Sequence, residues 1–147
     1  MNHYRILIVE DEIIIADTIK RYLVKRGHQV VGIAISYEEA TELYIKEKPD
    51  LVLLDIRISG PKTGIDVAKF IQKQQEATPF IFLTSQIDSR SLNCAKETFP
   101  AGYLTKPIQK SSLYTTIEIA VHNHKKQNPK EKNVQLYDGE KNFRFAI

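Results

Sequence analysis

Glu10, Asp11, Asp55, Thr84 and Lys106 lie far apart in the chain, yet each stands where a short apolar run stops. Brought together, three carboxylates would repel and raise one another's pKa, so a cation belongs among them. The fitting ion is Mg²⁺, a hard cation that takes carboxylate, carbonyl and water oxygens in an octahedron. The residues offer Asp11 and Asp55 as direct ligands, the backbone carbonyl of Arg57 as a third oxygen, and Glu10 through a water. Lys106 adds a second positive charge. A carboxylate flanked by metal, ammonium and hydroxyl is placed to attack phosphorus, because the two cations neutralise oxygens of a transferring phosphoryl group. Asp55 is the candidate nucleophile and would form an aspartyl phosphate. The Thr84 hydroxyl would then donate to one phosphoryl oxygen.

The elements that must position these groups are strands. Arg5-Ile6-Leu7-Ile8-Val9, Leu51-Val52-Leu53-Leu54, Phe80-Ile81-Phe82-Leu83 and Gly102-Tyr103-Leu104 precede the five residues, and open α/β sheets collect ligands at the carboxyl ends of their strands. Segments of helical period alternate with these runs, which predicts five βα units, a parallel sheet and helices on both faces. Ile15, Ile19, Tyr22 and Leu23 mark helix 1, stopped by Gly27. Residues 29–35 read as strand 2. Ser36 and Glu39 form a capping box for helix 2, which runs to about Lys48 and is closed by Pro49. The loop Arg57 to Gly64 is rich in turn residues, and its glycines predict a close approach to a ligand. Val67, Phe70 and Ile71 mark helix 3. Helix 4, at about 88–98, has the weakest apolar stripe, and helix 5 at about 111–124 packs Leu113, Ile117, Ala120 and Val121.

At 147 residues the chain has room for one ordinary domain and a remnant. The formal charge of +3 comes wholly from the end: residues 1–121 carry 15 Lys/Arg and 15 Asp/Glu, residues 122–147 carry 6 and 3. A neutral body with a basic tail argues against a nucleic-acid surface on the body. The division predicts a first domain over 1–124, a linker over 125–133, and the start of a truncated output domain over 134–147. That last stretch reads as a β-hairpin around Asp138-Gly139. The single cysteine, Cys94, rules out an internal disulfide and reads as a small packed residue. His3, His28, His122 and His124 have no spacing partner near the acids and are expected on the solvated surface. No apolar run approaches the roughly 20 residues of a membrane span, and the expected compartment is the cytoplasm.

The motifs Val9-Glu10-Asp11-Glu12, Leu53-Leu54-Asp55-Ile56-Arg57, Leu83-Thr84-Ser85 and Gly102-Tyr103-Leu104-Thr105-Lys106-Pro107 occur in this order. In them the chain resembles the CheY-like receiver domains of two-component response regulators over about residues 4–122. The resemblance implies a flavodoxin-like, doubly wound fold with strand order 2-1-3-4-5 and five helices. It also implies Asp55 as phosphoacceptor, Asp11 as metal ligand with Glu10 beside it, Lys106 as phosphate ligand, Thr84 and Tyr103 as a switch pair, and a cis Lys106-Pro107 bond. By the same resemblance the phosphoryl donor is a sensor histidine kinase or phosphotransfer protein. Phosphorylation would draw Thr84 toward the new oxygens, let Tyr103 turn inward, and change the helix 4 and strand 5 face used for homodimerisation. Three positions depart from the commonest pattern or vary within it: Glu10 is longer than the usual Asp, Arg57 is a long cation beside the acceptor, and the loop at Gly60 to Gly64 is one residue longer.

Such a domain catalyses only its own phosphotransfer and autodephosphorylation, and DNA would be reached only through an output domain outside this chain. Val134 to Ile147 weakly resembles the opening hairpin of a LytTR-type DNA-binding domain, which favours transcription regulation. Two other classes compete. Phosphatases resembling haloacid dehalogenases share the aspartyl-phosphate chemistry but carry a second carboxylate two residues after the nucleophile, where this chain has Arg57. A pseudo-receiver that only binds a protein would not need the intact acids and Lys106.

Overall fold

The computed structural model describes residues 2–85 and 89–127. In chain order it contains β1 (Arg5–Val9), α1 (Ile13–Lys25), β2 (Gln29–Ala34), α2 (Tyr37–Glu47), β3 (Leu51–Asp55), α3 (Gly64–Gln72), β4 (Phe80–Thr84), α4 (Ser89–Lys96), β5 (Gly102–Thr105) and α5 (Lys110–Gln127). The strands form one parallel sheet in the order β2-β1-β3-β4-β5. The expected fold class is therefore observed, with its strand order reversing beside β1.

Alternation along each strand sends successive side chains to opposite faces, and here both faces are covered. Ile6, Ile8, Leu51, Leu53, Ile81 and Leu83 pack with Ile19 and Leu23 of α1 and with Leu113, Ile117 and Val121 of α5. Leu7, Val9, Val52, Leu54, Phe80 and Phe82 pack with Ala40 and Tyr44 of α2, Val67, Ala68 and Ile71 of α3, and Ala95 of α4. Burial on two faces is why the strands read as unbroken apolar runs. Ala95 is the residue buried within α4, in keeping with that helix's weak stripe.

The ends of the helices are set locally. Ser36 caps α2 by accepting from the Glu39 N–H at 3.3 Å, while the Glu39 carboxylate accepts from the Ile35 N–H rather than from Ser36 itself. Lys48 takes a left-handed conformation at φ 47° and the buried Pro49 ends the helix. Thr63 and Asp66 form a reciprocal capping box that opens α3.

Several expectations are corrected. The α5 helix continues three residues beyond His124, to Gln127, because Lys125 and Lys126 are good helix formers that favour a helix C-terminus. Cys94 is exposed, not packed. His28 is buried: its ring stacks on Tyr4 with centroids 5.3 Å apart and its Nδ1 accepts the Tyr4 N–H at 3.1 Å. Two glycines of the loop after β3 are also fixed by backbone geometry. A Cβ at Gly64 would overlap the Asp55 carbonyl oxygen, and Gly60 turns at φ +94° in open space. The rest of the linker expected over 125–133 and the hairpin expected over 134–147 lie outside the described residues.

Candidate functional site

The carboxyl ends of β1, β3 and β4 and the residues following β5 meet at one edge of the sheet. Glu10 and Asp11 follow β1 directly, Asp55 ends β3, Thr84 ends β4, and Lys106 follows β5. Register places them side by side: Val9 pairs with Leu54, Asp55 with Leu83, and Thr84 with Thr105. The Lys106 N–H donates to the Thr84 carbonyl at 2.7 Å, which carries the β4–β5 pairing one residue further. The Lys106–Pro107 bond is cis.

Lys106 reaches back over the acids. Its Nζ lies 3.0 Å from Asp55 Oδ2, 2.8 Å from Glu10 Oε1 and 3.6 Å from Glu12 Oε1. The contact with Asp55 is an aligned hydrogen bond. The shorter contact with Glu10 is off the hydrogen-bonding direction, so Glu10 Oε1 stays a buried acceptor without an aligned donor. Glu10 Oε2 accepts the Glu12 N–H at 3.1 Å, and Asp55 Oδ1 accepts the Arg57 N–H at 3.2 Å.

Burial and charge decide the protonation of this group. Glu10 is fully buried, and burial pushes its carboxyl up from 4.5 to about 7; the Lys106 ammonium 2.8 Å away opposes that rise and the Asp55 carboxylate adds to it. Burial alone would lower the Lys106 pKa, but its close contacts with the Glu10 and Asp55 carboxylates outweigh it and raise the value. Lys106 is thus held as a cation.

A cleft of about 350 Å³ opens beside these groups, lined by Asp11, Glu12, Asp55, Arg57, Thr84, Ser85, Ser91 and Lys106 among others. Beside it, Glu10, Asp11 and Asp55 each offer an oxygen, all within 4.8 Å of one another. This donor set suits a hard divalent cation. The Glu10 Oε1 atom agrees with that fit, since it is buried and its contact with Lys106 is not an aligned hydrogen bond.

Of the residues singled out by sequence, Glu10, Asp11, Asp55 and Lys106 form one cluster, and Thr84 and Arg57 line the same cleft. Tyr103 stands apart. The residue is 41% exposed, its ring stacks on Phe82 with centroids 6.0 Å apart, and it lines a second depression with Gln109, Ser112 and Thr116, which shares Lys106 with the cleft. Phe82 lies two residues before Thr84 on β4, on the same face of that strand. A ring moving toward Thr84 would therefore travel along the Phe82 side of the sheet. Two residues that contact the cluster escaped the sequence reading. Glu12 reaches Lys106 and caps no donor of α1 with its side chain. Ser59 donates its hydroxyl to Asp11 Oδ2 at 3.2 Å. A motif of acids signals Glu12, whereas nothing local signals Ser59.

A family profile described as the response regulator receiver domain matches residues 6–118. Among curated proteins, the transcriptional regulatory protein PdtaR of Mycobacterium tuberculosis is 36% identical over 117 residues, covering 80% of this chain and 56% of that protein. The sensory transduction protein LytT of Bacillus subtilis is 34% identical over 116 residues, covering 78% of this chain and 46% of that protein. The chain thus spans about half the length of the curated relatives it matches. Among solved structures, the signal receiver domain of a modulated diguanylate cyclase from Desulfovibrio desulfuricans aligns with a TM-score of 0.82 at 33% identity, covering 86% of this chain and all of that one. The receiver domain of PhyR from Erythrobacter litoralis aligns with a TM-score of 0.72 at 34% identity, covering 83% of this chain and 92% of that one.

Proposed function

Because the chain belongs to the response regulator receiver domain family, we propose that it is a phosphorylation-activated switch that accepts a phosphoryl group on Asp55. The observation that carries this reading is the Lys106 ammonium held 3.0 Å from Asp55 Oδ2, beside the acidic cluster of Glu10, Asp11 and Asp55. The donor is a sensor histidine kinase or a phosphotransfer protein, in keeping with signalling by this family.

The chemistry is an in-line transfer. An Asp55 carboxylate oxygen attacks phosphorus, the P–N bond to the donor imidazole breaks, and the imidazole keeps the bonding electrons and remains free to take up a proton. Lys106 donates to the oxygens on which charge gathers, and the Thr84 hydroxyl is placed at the same cleft to donate to one of them. Asp11 and Asp55, the Arg57 carbonyl, and Glu10 through water would hold Mg²⁺, which supplies further charge neutralisation at the phosphoryl oxygens. The exposed Arg57 stands where a phosphatase of the haloacid dehalogenase kind carries its general acid, so the product is expected to persist rather than turn over rapidly.

The output is read at the α4, β5 and α5 face. Exposed Tyr103 and Ile119 lie on that side, and a shift of Thr84 toward a phosphoryl group would open room for Tyr103 to turn inward and alter it. Homodimerisation through this face and relay to an output domain beyond α5 complete the proposal. Names of relatives such as a transcriptional regulatory protein support transcription as the output. The working compartment proposed is the cytoplasm; no described helix is long and apolar enough to cross a membrane.

The test is incubation of the full chain with Mg²⁺ and acetyl phosphate, followed by intact-mass measurement of the native protein and Asp55→Asn. One added phosphate on the native chain alone, decaying over minutes to hours, supports the switch. Equal labelling of both proteins, or continuous turnover of many phosphodonors, contradicts it.

A further inference from the structure

Ser59 sits in the loop between β3 and α3, yet its position is set by the sheet. Its N–H donates to the Ile35 carbonyl at 2.9 Å, and it forms a parallel bridge with Ser36, the cap of α2. The end of β2 is bonded in turn to the end of β1 through the Glu10 N–H and the Ala34 carbonyl at 2.9 Å. Gly60 then turns the chain away at φ +94°, a conformation that lets the loop leave immediately after its tether. The Ser59 hydroxyl is thereby presented to Asp11 across 48 positions of sequence, 3.2 Å from Oδ2.

The consequence bears on Asp11. Its neighbours Glu10 and Glu12 both turn toward Lys106, while Asp11 is half-buried and lacks an ion pair with that ammonium among the described contacts. The Cβ–Cγ torsion of an aspartate is broad, so its carboxylate points where its hydrogen bonds direct it. The hydroxyl engages Oδ2 and leaves Oδ1 for a cation, the arrangement by which outer hydrogen bonds orient a metal-ligating carboxylate.

We propose that Ser59 is a positioning residue for the cation site, holding the Asp11 carboxylate in its ligating orientation through the 3.2 Å hydroxyl contact. The inference rests on the reading of Asp11 as a metal ligand. It also couples the cation site to the end of β2, since the same residue bonds both.

The test uses the full chain and Mn²⁺ as probe, with affinity read from the electron paramagnetic resonance signal of the free ion. Native protein is compared with S59A, with the near-isosteric pair S59T and S59V, and with D11N. Urea midpoints confirm that each variant is folded. The expected result is about tenfold weaker Mn²⁺ binding for S59A and S59V, with S59T close to native, although S59T and S59V disturb packing alike. Mn²⁺ affinity that is the same for S59T and S59V, or unchanged in S59A, overturns the positioning role. If D11N also binds as native does, Asp11 is no ligand and the underlying reading fails with it. Weak binding by D11N alone, with all Ser59 variants like native, removes only the Ser59 inference.

Discussion

Lys106 Nζ lies 3.0 Å from Asp55 Oδ2 across 51 positions of sequence, and the same ammonium lies 2.8 Å from the fully buried Glu10. Among the described residues, this one side chain pairs with both carboxylates. Lys106→Ala leaves both behind, and uncompensated buried charge is costly. In EDTA at pH 8 the variant is expected to lose about 3 kcal/mol in urea unfolding. That loss shrinks toward pH 5, where Glu10 takes up a proton.

Glu10→Gln should act in the opposite sense. The folded carboxyl has its pKa raised from 4.5 to about 7 by burial, so the folded state holds its proton more tightly than the unfolded chain between those values. Stability from that proton is complete below 4.5 and is lost as pH rises through about 7. Without divalent metal, the variant is expected to exceed native stability at pH 8 by on the order of 1 kcal/mol. The advantage narrows at pH 5, which urea midpoints at the two pH values will show.

Gly64 opens α3 against the backbone of Asp55, with its N–H donating to the Ile56 carbonyl at 2.7 Å. Gly64→Ala must push the helix off the strand, because its Cβ would meet backbone rather than a movable side chain. A loss of about 2 kcal/mol is expected from such overpacking. Slower labelling of Asp55 by acetyl phosphate should accompany it, whereas a Gly60→Ala variant pays only for its positive φ.

His28 provides an acid-sensitive contact at the far end of the sheet. Burial lowers its pKa below 6.5; Glu118 opposes the shift, and His3 and Arg26 add to it. As pH falls below 6.5 the unfolded chain gains this proton before the folded one, so stability declines through that window. Protonation also removes the acceptor that Nδ1 offers to the Tyr4 N–H. Native protein is therefore expected to lose more stability between pH 7 and 5 than His28→Gln, measured by urea unfolding.

The strand runs and their end residues were legible in sequence because a parallel sheet buried on both faces writes itself as apolar runs, and its site gathers at their carboxyl ends. Asp55, Lys106 and the acids after β1 needed no long-range knowledge beyond that rule. What stayed hidden depends on contacts between distant positions. His28 follows a helix-stopping glycine and looks like surface until Tyr4 stacks on it. Ser59 looks like a turn residue until the end of β2 holds its backbone. Gly64 announces a turn, while the Asp55 carbonyl that excludes a Cβ appears only in three dimensions. The α5 terminus is hard to place from sequence because polar residues 125–127 carry no apolar period, although they continue a helix already begun.

The proposed switch requires Asp55 to be the residue that bears the phosphoryl group. Treating the chain with acetyl phosphate and Mg²⁺, reducing with borohydride and mapping peptides by mass would locate the acyl phosphate as homoserine. Conversion at position 55 alone is the predicted result. Conversion at Asp11 or another acid, or a borohydride-resistant phosphate on a hydroxyl or imidazole, would contradict it.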